Sequence, residues 1–80
     1  MARNFYMVSM ALGQKDKDIE TWPGPGGTYI RNKAISMAKE LQKEINAGKW
    51  DERKRDGYTL RACIEELDPR TTDLISVIEI

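Results

Sequence analysis

Residues 4–12 read NFYMVSMAL and residues 74–80 read LISVIEI, and these two segments decide the fold. Successive side chains of a β-strand point to opposite faces of the sheet, so a strand with one face in water normally alternates apolar and polar residues. Both segments are instead apolar at odd and at even positions, interrupted mainly by Ser9, Ser76 and Glu79. We therefore predict two strands whose two faces both need cover.

One long amphipathic helix is available to cover such a sheet. Apolar residues recur at three- and four-residue spacing from Ile30 to Ile45, and charged residues lie mostly off that stripe. Thr28 is the predicted N-cap, because its hydroxyl can accept hydrogen bonds from the amides of the first turn. Gly48 is the predicted stop, since glycine readily adopts the left-handed conformation. A single helix covers a single face, so the other apolar face is left for something else.

The two remaining segments are less decisive. Residues 58–67, YTLRACIEEL, alternate as a half-buried strand does, although their apolar positions also fit a helix. The following turn, which begins Asp68-Pro69, is typical of a connection between hairpin strands and favours the strand. Residues 13–27, GQKDKDIETWPGPGG, are predicted to form a long connection with at most a brief edge strand at 19–22, because prolines and glycines exclude a helix or a central strand.

The predicted fold is a single small α+β domain spanning residues 1–80, with the chain order β-α-β-β. A three-stranded antiparallel sheet carries the one long helix on one face. We place the last strand between the other two, in the spatial order 1-3-2, because LISVIEI is apolar on both sides and a central strand is the most buried.

The composition indicates a soluble domain. Lys+Arg and Asp+Glu both total 13, so the formal net charge is zero, which argues against a protein that coats nucleic acid or a membrane surface. No apolar run approaches the 18 or so residues of a membrane span. Cys63 is the only cysteine, which excludes an internal disulfide, and we expect a cytoplasmic protein.

The sequence contains no recognised catalytic constellation. The chain has no histidine, which excludes serine–histidine and cysteine–histidine nucleophiles and histidine metal sites. The Pro-Gly-Pro-Gly-Gly-Thr run before the helix lacks the Gly-Lys-Ser/Thr ending of a phosphate-binding loop. We therefore expect no enzyme activity, no metal site and no cofactor.

The expected function is that of a non-enzymatic protein–protein interaction module. Such a module would be a small regulator or inhibitor, of the kind that phages and bacteria encode, acting as a homodimer or docked on a larger protein. Its predicted contact residues are those of the sheet face away from the helix, with a tryptophan of the long connection at the rim: Phe5, Met7, Trp22, Cys63, Ile75 and Val77.

The alternative hypothesis is a nucleic-acid-binding accessory protein. The connector at residues 49–56, KWDERKRD, is rich in basic residues and is flanked by aromatic residues. The predicted nucleic-acid contacts are the basic residues of this connector and of the helix start: Arg31, Lys49, Arg53, Lys54 and Arg55. Affinity of this kind falls steeply with salt, whereas binding through an apolar sheet face does not.

Overall fold

The computed structural model describes residues 3–14 and 17–80. The elements in chain order are β1 (Phe5–Gln14), β2 (Lys17–Thr28), α1 (Arg31–Asn46), a short 3-10 helix (Asp51–Arg53), β3 (Thr59–Leu67) and β4 (Leu74–Glu79). The strands form one antiparallel sheet in the spatial order β2-β1-β3-β4. The prediction of an α+β fold, with one helix packed on an antiparallel sheet, is confirmed.

The predicted number and order of strands are wrong. Residues 17–28 form a fourth strand, β2, instead of a connection, and the last strand lies at an edge instead of in the centre. The central position beside β1 belongs to β3, because β3 has buried residues on both faces of the sheet. Leu60, Ala62 and Ile64 are buried on the helix-covered face, and Cys63 is buried on the opposite face. β4 carries polar residues at Ser76 and Glu79, and an edge leaves these accessible.

Strand β2 occupies an edge because its prolines have no amide hydrogen to donate to a second neighbouring strand. It pairs only with β1, and the register shifts between the pairs Met7–Gly27 and Ser9–Pro23. Gly26 in that interval has a φ of +143°, which strongly disfavours residues with a side chain. A Cβ added at Gly24 would lie 2.9 Å from the Val8 carbonyl oxygen, so the close approach of the two strands here requires glycine.

The core lies between α1 and one face of the sheet. The buried helix residues are Ala34, Ala38, Leu41 and Ile45, and the buried residues of that sheet face are Val8, Met10, Leu12, Leu60, Ala62 and Ile64. The helical periodicity therefore placed the buried stripe correctly except at Ile30, which precedes the helix and is exposed.

The two ends of α1 differ in how well they match the sequence prediction. Ile30, not Thr28, is the N-cap; the Thr28 hydroxyl accepts a hydrogen bond from the Ile30 amide, at 3.1 Å, one residue before the helix. The C-terminal stop at Gly48 is confirmed, with a φ of +91°. The amides of Gly48 and Lys49 donate to the carbonyl oxygens of Ile45 and Glu44, which is a Schellman motif.

Within the described ranges, no helix has both the length and the apolar content needed to cross a membrane.

Candidate protein-interaction surface

The sheet face opposite α1 is covered in its middle by the chain's own polar side chains. Arg61 on β3 lies opposite Ala11 on β1. Its guanidinium donates to Asp18 of β2, with an N–O distance of 2.7 Å, and to Glu79 of β4, with an N–O distance of 2.8 Å. We call these three residues the Arg61 network. It reaches from one edge strand to the other, across residues whose small side chains leave room for the long arginine.

Electrostatics favour a permanently charged Arg61. Hydrogen bonds to Glu79 and then to Asp18 raise the pKa of the guanidinium further above its already high usual value. The two carboxylates accept charge-assisted hydrogen bonds, which are stronger than those between neutral groups. The Arg61 network therefore places a fixed polar region on a face that the sequence indicated to be apolar.

A second polar contact covers the neighbouring row of this face. Ser9 is fully buried, and its hydroxyl donates to a Glu65 carboxylate oxygen at 2.6 Å. Cys63 lies opposite Ser9 and is only 2% exposed. Burial is the main cause that raises the pKa of its thiol to about 11. Cys63 is thus on the predicted face, but its side chain is not accessible to a partner.

The exposed apolar area is concentrated on the last strand. Among the described residues seven large hydrophobic side chains are exposed, and four of them belong to residues 74–80. Three of them, Leu74 (54% exposed), Ile75 (51%) and Val77 (46%), belong to β4, and we call these three the β4 patch. The fourth, Ile80, follows β4 and lies beside α1 residues such as Gln42 on the helix-covered side. Isolated exposed hydrophobic residues are common on proteins, whereas a contiguous group marks an interaction surface.

An apolar pocket adjoins the start of β4. Phe5 pairs with Leu67, and Leu67 pairs with Leu74 of the β4 patch. The ring of Phe5 packs edge-on against Tyr29, with ring centres 5.0 Å apart. Phe5, Tyr29, Leu67 and Pro69 give the pocket its apolar lining, and Asp68 and Thr72 complete it. The half-buried Met7 lies one row further along the same face, with Glu65 between it and Val77.

Two features of β4 distinguish it from the rest of the sheet. It pairs with β3 on one side only, and α1 packs mainly on β1, β2 and β3. Its sequence, LISVIE, contains neither proline nor lysine, the residues that commonly protect an edge strand from pairing with another chain. β4 therefore offers unpaired backbone groups together with exposed apolar side chains.

The predicted contact residues are only partly brought together. Ile75 and Val77 are exposed on β4, and Phe5 and Met7 are half-buried on the same face as Val77. Trp22 is elsewhere: it pairs with Met10 and packs against the core on the face that carries α1. The prediction of Trp22 at the open rim is wrong, because residues 17–28 form a strand, and strand alternation in β2 turns this side chain toward the core.

Trp22 is also held by a contact within the chain. The Arg53 guanidinium lies 5.2 Å from the ring centre of Trp22 and 5.2 Å from that of Trp50. Trp50 in turn donates from its indole nitrogen to Glu44 at 3.2 Å. Arg53 therefore joins β2 to the end of α1 through two cation–π contacts.

The basic residues of the alternative hypothesis do not form one surface. Lys54 is paired with Asp51 at 2.8 Å, and Arg55 lies 3.9 Å from Glu20. Arg31 begins α1, whereas the connector follows its end, so the helix of 16 residues separates them by roughly 24 Å. Lys49 is exposed beyond the helix stop. Acidic neighbours and this separation weaken the field that a phosphate backbone would meet.

Sequence reasoning missed Leu74 as an exposed contact residue and missed the whole Arg61 network. Leu74 was inside the predicted last strand, but a central strand would have buried it. The pairing of Arg61 with Asp18 had no sequence signal, because it depends on β2 being a strand two places away from β3.

On the helix-covered side, the Glu66 carboxylate links β4 to Asn4, the residue that precedes β1. The Asn4 amide donates to it at 2.6 Å and the Ser76 hydroxyl at 2.9 Å. These bonds, in that order, hold the pKa of Glu66 below its usual value, and the positive charge of Arg31 acts in the same direction.

Glu66 should therefore stabilise the fold only when it is ionised. A pKa that is lower in the folded than in the unfolded chain contributes stability above the unfolded value, near 4.5, and this is lost as pH falls through the folded value. Denaturant unfolding of the wild type and of Glu66→Gln over a pH series should show a difference at neutral pH that disappears in acid. Ser76→Ala should raise the pKa of the Glu66 carboxyl in an NMR titration; an unchanged titration would contradict this assignment.

No protein-family model matches the sequence, and no curated protein or solved structure is significantly similar to it. Within residues 3–14 and 17–80, no three histidine, cysteine, aspartate or glutamate side chains form a group that could hold a metal ion. The β4 patch, with its free edge and adjoining pocket, is the candidate functional site.

Proposed function

We propose that this chain is a non-enzymatic protein–protein interaction module that binds a protein partner through the β4 patch. The observation that carries the proposal is the concentration of three exposed apolar side chains on a strand paired along one edge only. Full burial of a large apolar side chain contributes roughly 1.5–3 kcal/mol before the cost of association is subtracted. The half-buried Phe5 and Met7 extend the same surface.

The surroundings of the β4 patch support a protein partner. Protein interfaces combine an apolar centre, depleted of charge, with a polar rim. The β4 patch is apolar, and Glu65 and the Arg61 network lie beside it on the open face. The pocket formed by Phe5, Tyr29, Leu67 and Pro69 offers a site for an anchoring side chain, the feature around which binding energy is usually concentrated.

The module would act by occupying a surface, as a small regulator or inhibitor does. Such action needs no catalytic group, only a rigid scaffold and a complementary surface. The core under α1 supplies the scaffold, because the residues that hold the sheet are distinct from those of the β4 patch. The basic connector is less suited to nucleic acid, since Arg53, Lys54 and Arg55 have acidic or aromatic neighbours within the chain.

The double substitution Ile75→Asp/Val77→Asp should abolish association without unfolding the domain. Two carboxylates in the centre of the β4 patch would have to be desolvated on binding, whereas in the free chain they remain in water. Native mass over a range of concentrations and affinity capture from a lysate of the cells that produce the protein would measure association. Circular dichroism would establish that the fold is retained.

The matched control is Ile19→Asp, an equally apolar residue exposed on the opposite edge strand β2. It should associate as the wild type does, and the wild-type interaction should be nearly unchanged between low and high salt. A wild-type chain that stays monomeric and captures no protein, or a double variant that associates normally, would overturn the proposal. A steep loss with salt would instead favour the nucleic-acid hypothesis.

A further inference from the structure

The two edges of the sheet present different chemistry to another chain. At β2, Pro23 and Pro25 lack amide donors, and the register shift around Gly26 breaks the regular edge. At β4 no proline is present, and its pairing with β3 is regular from Ser76 to Glu79. An extended segment of another chain can pair with an edge of this kind, because its amides and carbonyls form hydrogen bonds with the free ones of the edge strand.

We propose that the β4 edge pairs antiparallel with β4 of a second copy, so that the two four-stranded sheets become one continuous sheet of eight strands. This inference rests on the proposed function and names the partner. A second copy is favoured because a two-fold axis brings the same apolar strand to both sides, so each copy covers the other's exposed side chains. The chain also has zero net charge, so two copies do not repel each other over long distances.

Geometry limits the register of this pairing. A two-fold axis perpendicular to the sheet keeps both helices on the same side, so directly opposed residues must point to the same face. Over the regularly paired part of β4, the sum of their residue numbers must then be even. The two registers that overlap most of β4 are therefore centred on Ser76 and on Val77.

Charge selects between these two registers. Centred on Ser76, the pairing would bring Glu79 of one copy close to Asp73 of the other, which directly precedes β4, and like charges close together across paired strands are destabilising. Centred on Val77, it sets Glu79 beside Ile75, and the two Val77 side chains meet at the axis. In this register Glu79 meets no acidic residue of the second copy, and it keeps its bond to Arg61 within its own chain. The second register is the one we propose.

A cysteine at the axis tests this register directly. Opposed residues of antiparallel strands have Cα atoms about 4.5–5.5 Å apart, within the span of a disulfide. Val77→Cys should therefore form a disulfide-linked dimer under mild oxidation. The native Cys63 does not interfere, because it is buried and its thiol has a pKa of about 11. Thr21→Cys, which is exposed on the β2 edge, is the matched control.

The expected result is a native mass of two chains and cross-linking of Val77→Cys at least about tenfold faster than of Thr21→Cys, because the dimer raises the local thiol concentration. If the substitution disturbs β4, the wild type gives a second measurement: its β4 amides should gain hydrogen-exchange protection as concentration rises. Equal cross-linking rates combined with concentration-independent exchange would overturn the inference. A monomeric chain that captures a different protein, and loses it with Ile75→Asp/Val77→Asp, would also overturn it while supporting the proposed function.

Discussion

Replacement of Ile64 by alanine should lower the free energy of unfolding by about 2–5 kcal/mol, the range found for large-to-small changes in protein cores. Ile64 is fully buried in the central strand β3. It lies opposite Val8 on one side and Ile78 on the other, beneath α1. A domain of this size has about 5–15 kcal/mol of stability in total, so this one change removes a large part of it. Denaturant-induced unfolding at low protein concentration would measure the loss.

Val77→Ala is the matched control for Ile64→Ala. Val77 lies on the adjacent strand, but its side chain is 46% exposed, so its truncation should change stability by less than about 1 kcal/mol. Low concentration matters, because association through β4 would add to the apparent stability. A loss for Val77→Ala as large as that for Ile64→Ala would mean that the β4 patch belongs to the folding core, and the case for a binding surface would fail.

The helix was the element most accessible to sequence reasoning. Its apolar stripe and its glycine stop are set by contacts three to six residues apart, so the signals for Leu41, Ile45 and Gly48 are all local. The start was less accessible, because Thr28 caps the turn before α1 rather than α1 itself.

The order of the strands could not be predicted from local sequence signals. Alternation identified β1, β3 and β4, but pairing depends on contacts between segments far apart in the chain. β2 was missed as a strand because proline and glycine are uncommon in strands, although an edge tolerates them. In the structure β2 occupies one side of β1, β3 takes the other side, and β4 pairs with β3.

The candidate site shows the same division between local and distant information. The sequence LISVIEI alone predicts that Ile75 and Val77 lie on an apolar strand. That the middle of the open face is polar depends on the register of three strands, which sets Arg61 within reach of both Asp18 and Glu79. The apolar excess inferred from sequence is therefore present, but it is concentrated on β4 instead of spread over the face.

Arg61→Met should lower the free energy of unfolding by about 1–2 kcal/mol and weaken self-association at low salt. Methionine keeps much of the apolar stem but removes the donors to both carboxylates. The figure is modest because Asp18 and Glu79 are substantially exposed, so water screens the lost attraction. The second effect arises because Glu79 becomes an uncompensated charge on the β4 edge of each copy. Unfolding and native mass, each at low and high salt, would measure the two effects.

The chain carrying Asp18→Asn and Glu79→Gln provides the control, since Arg61→Met then removes no ion pair. In that background the stability loss should shrink to a few tenths of a kcal/mol, and the salt dependence of association should disappear; the difference between the two backgrounds measures the coupling. An equal loss in both backgrounds would assign the effect of Arg61 to the packing of its stem over Ala11. The open face would then be held by contact between side chains, and the prediction that an uncompensated Glu79 weakens self-association would be wrong.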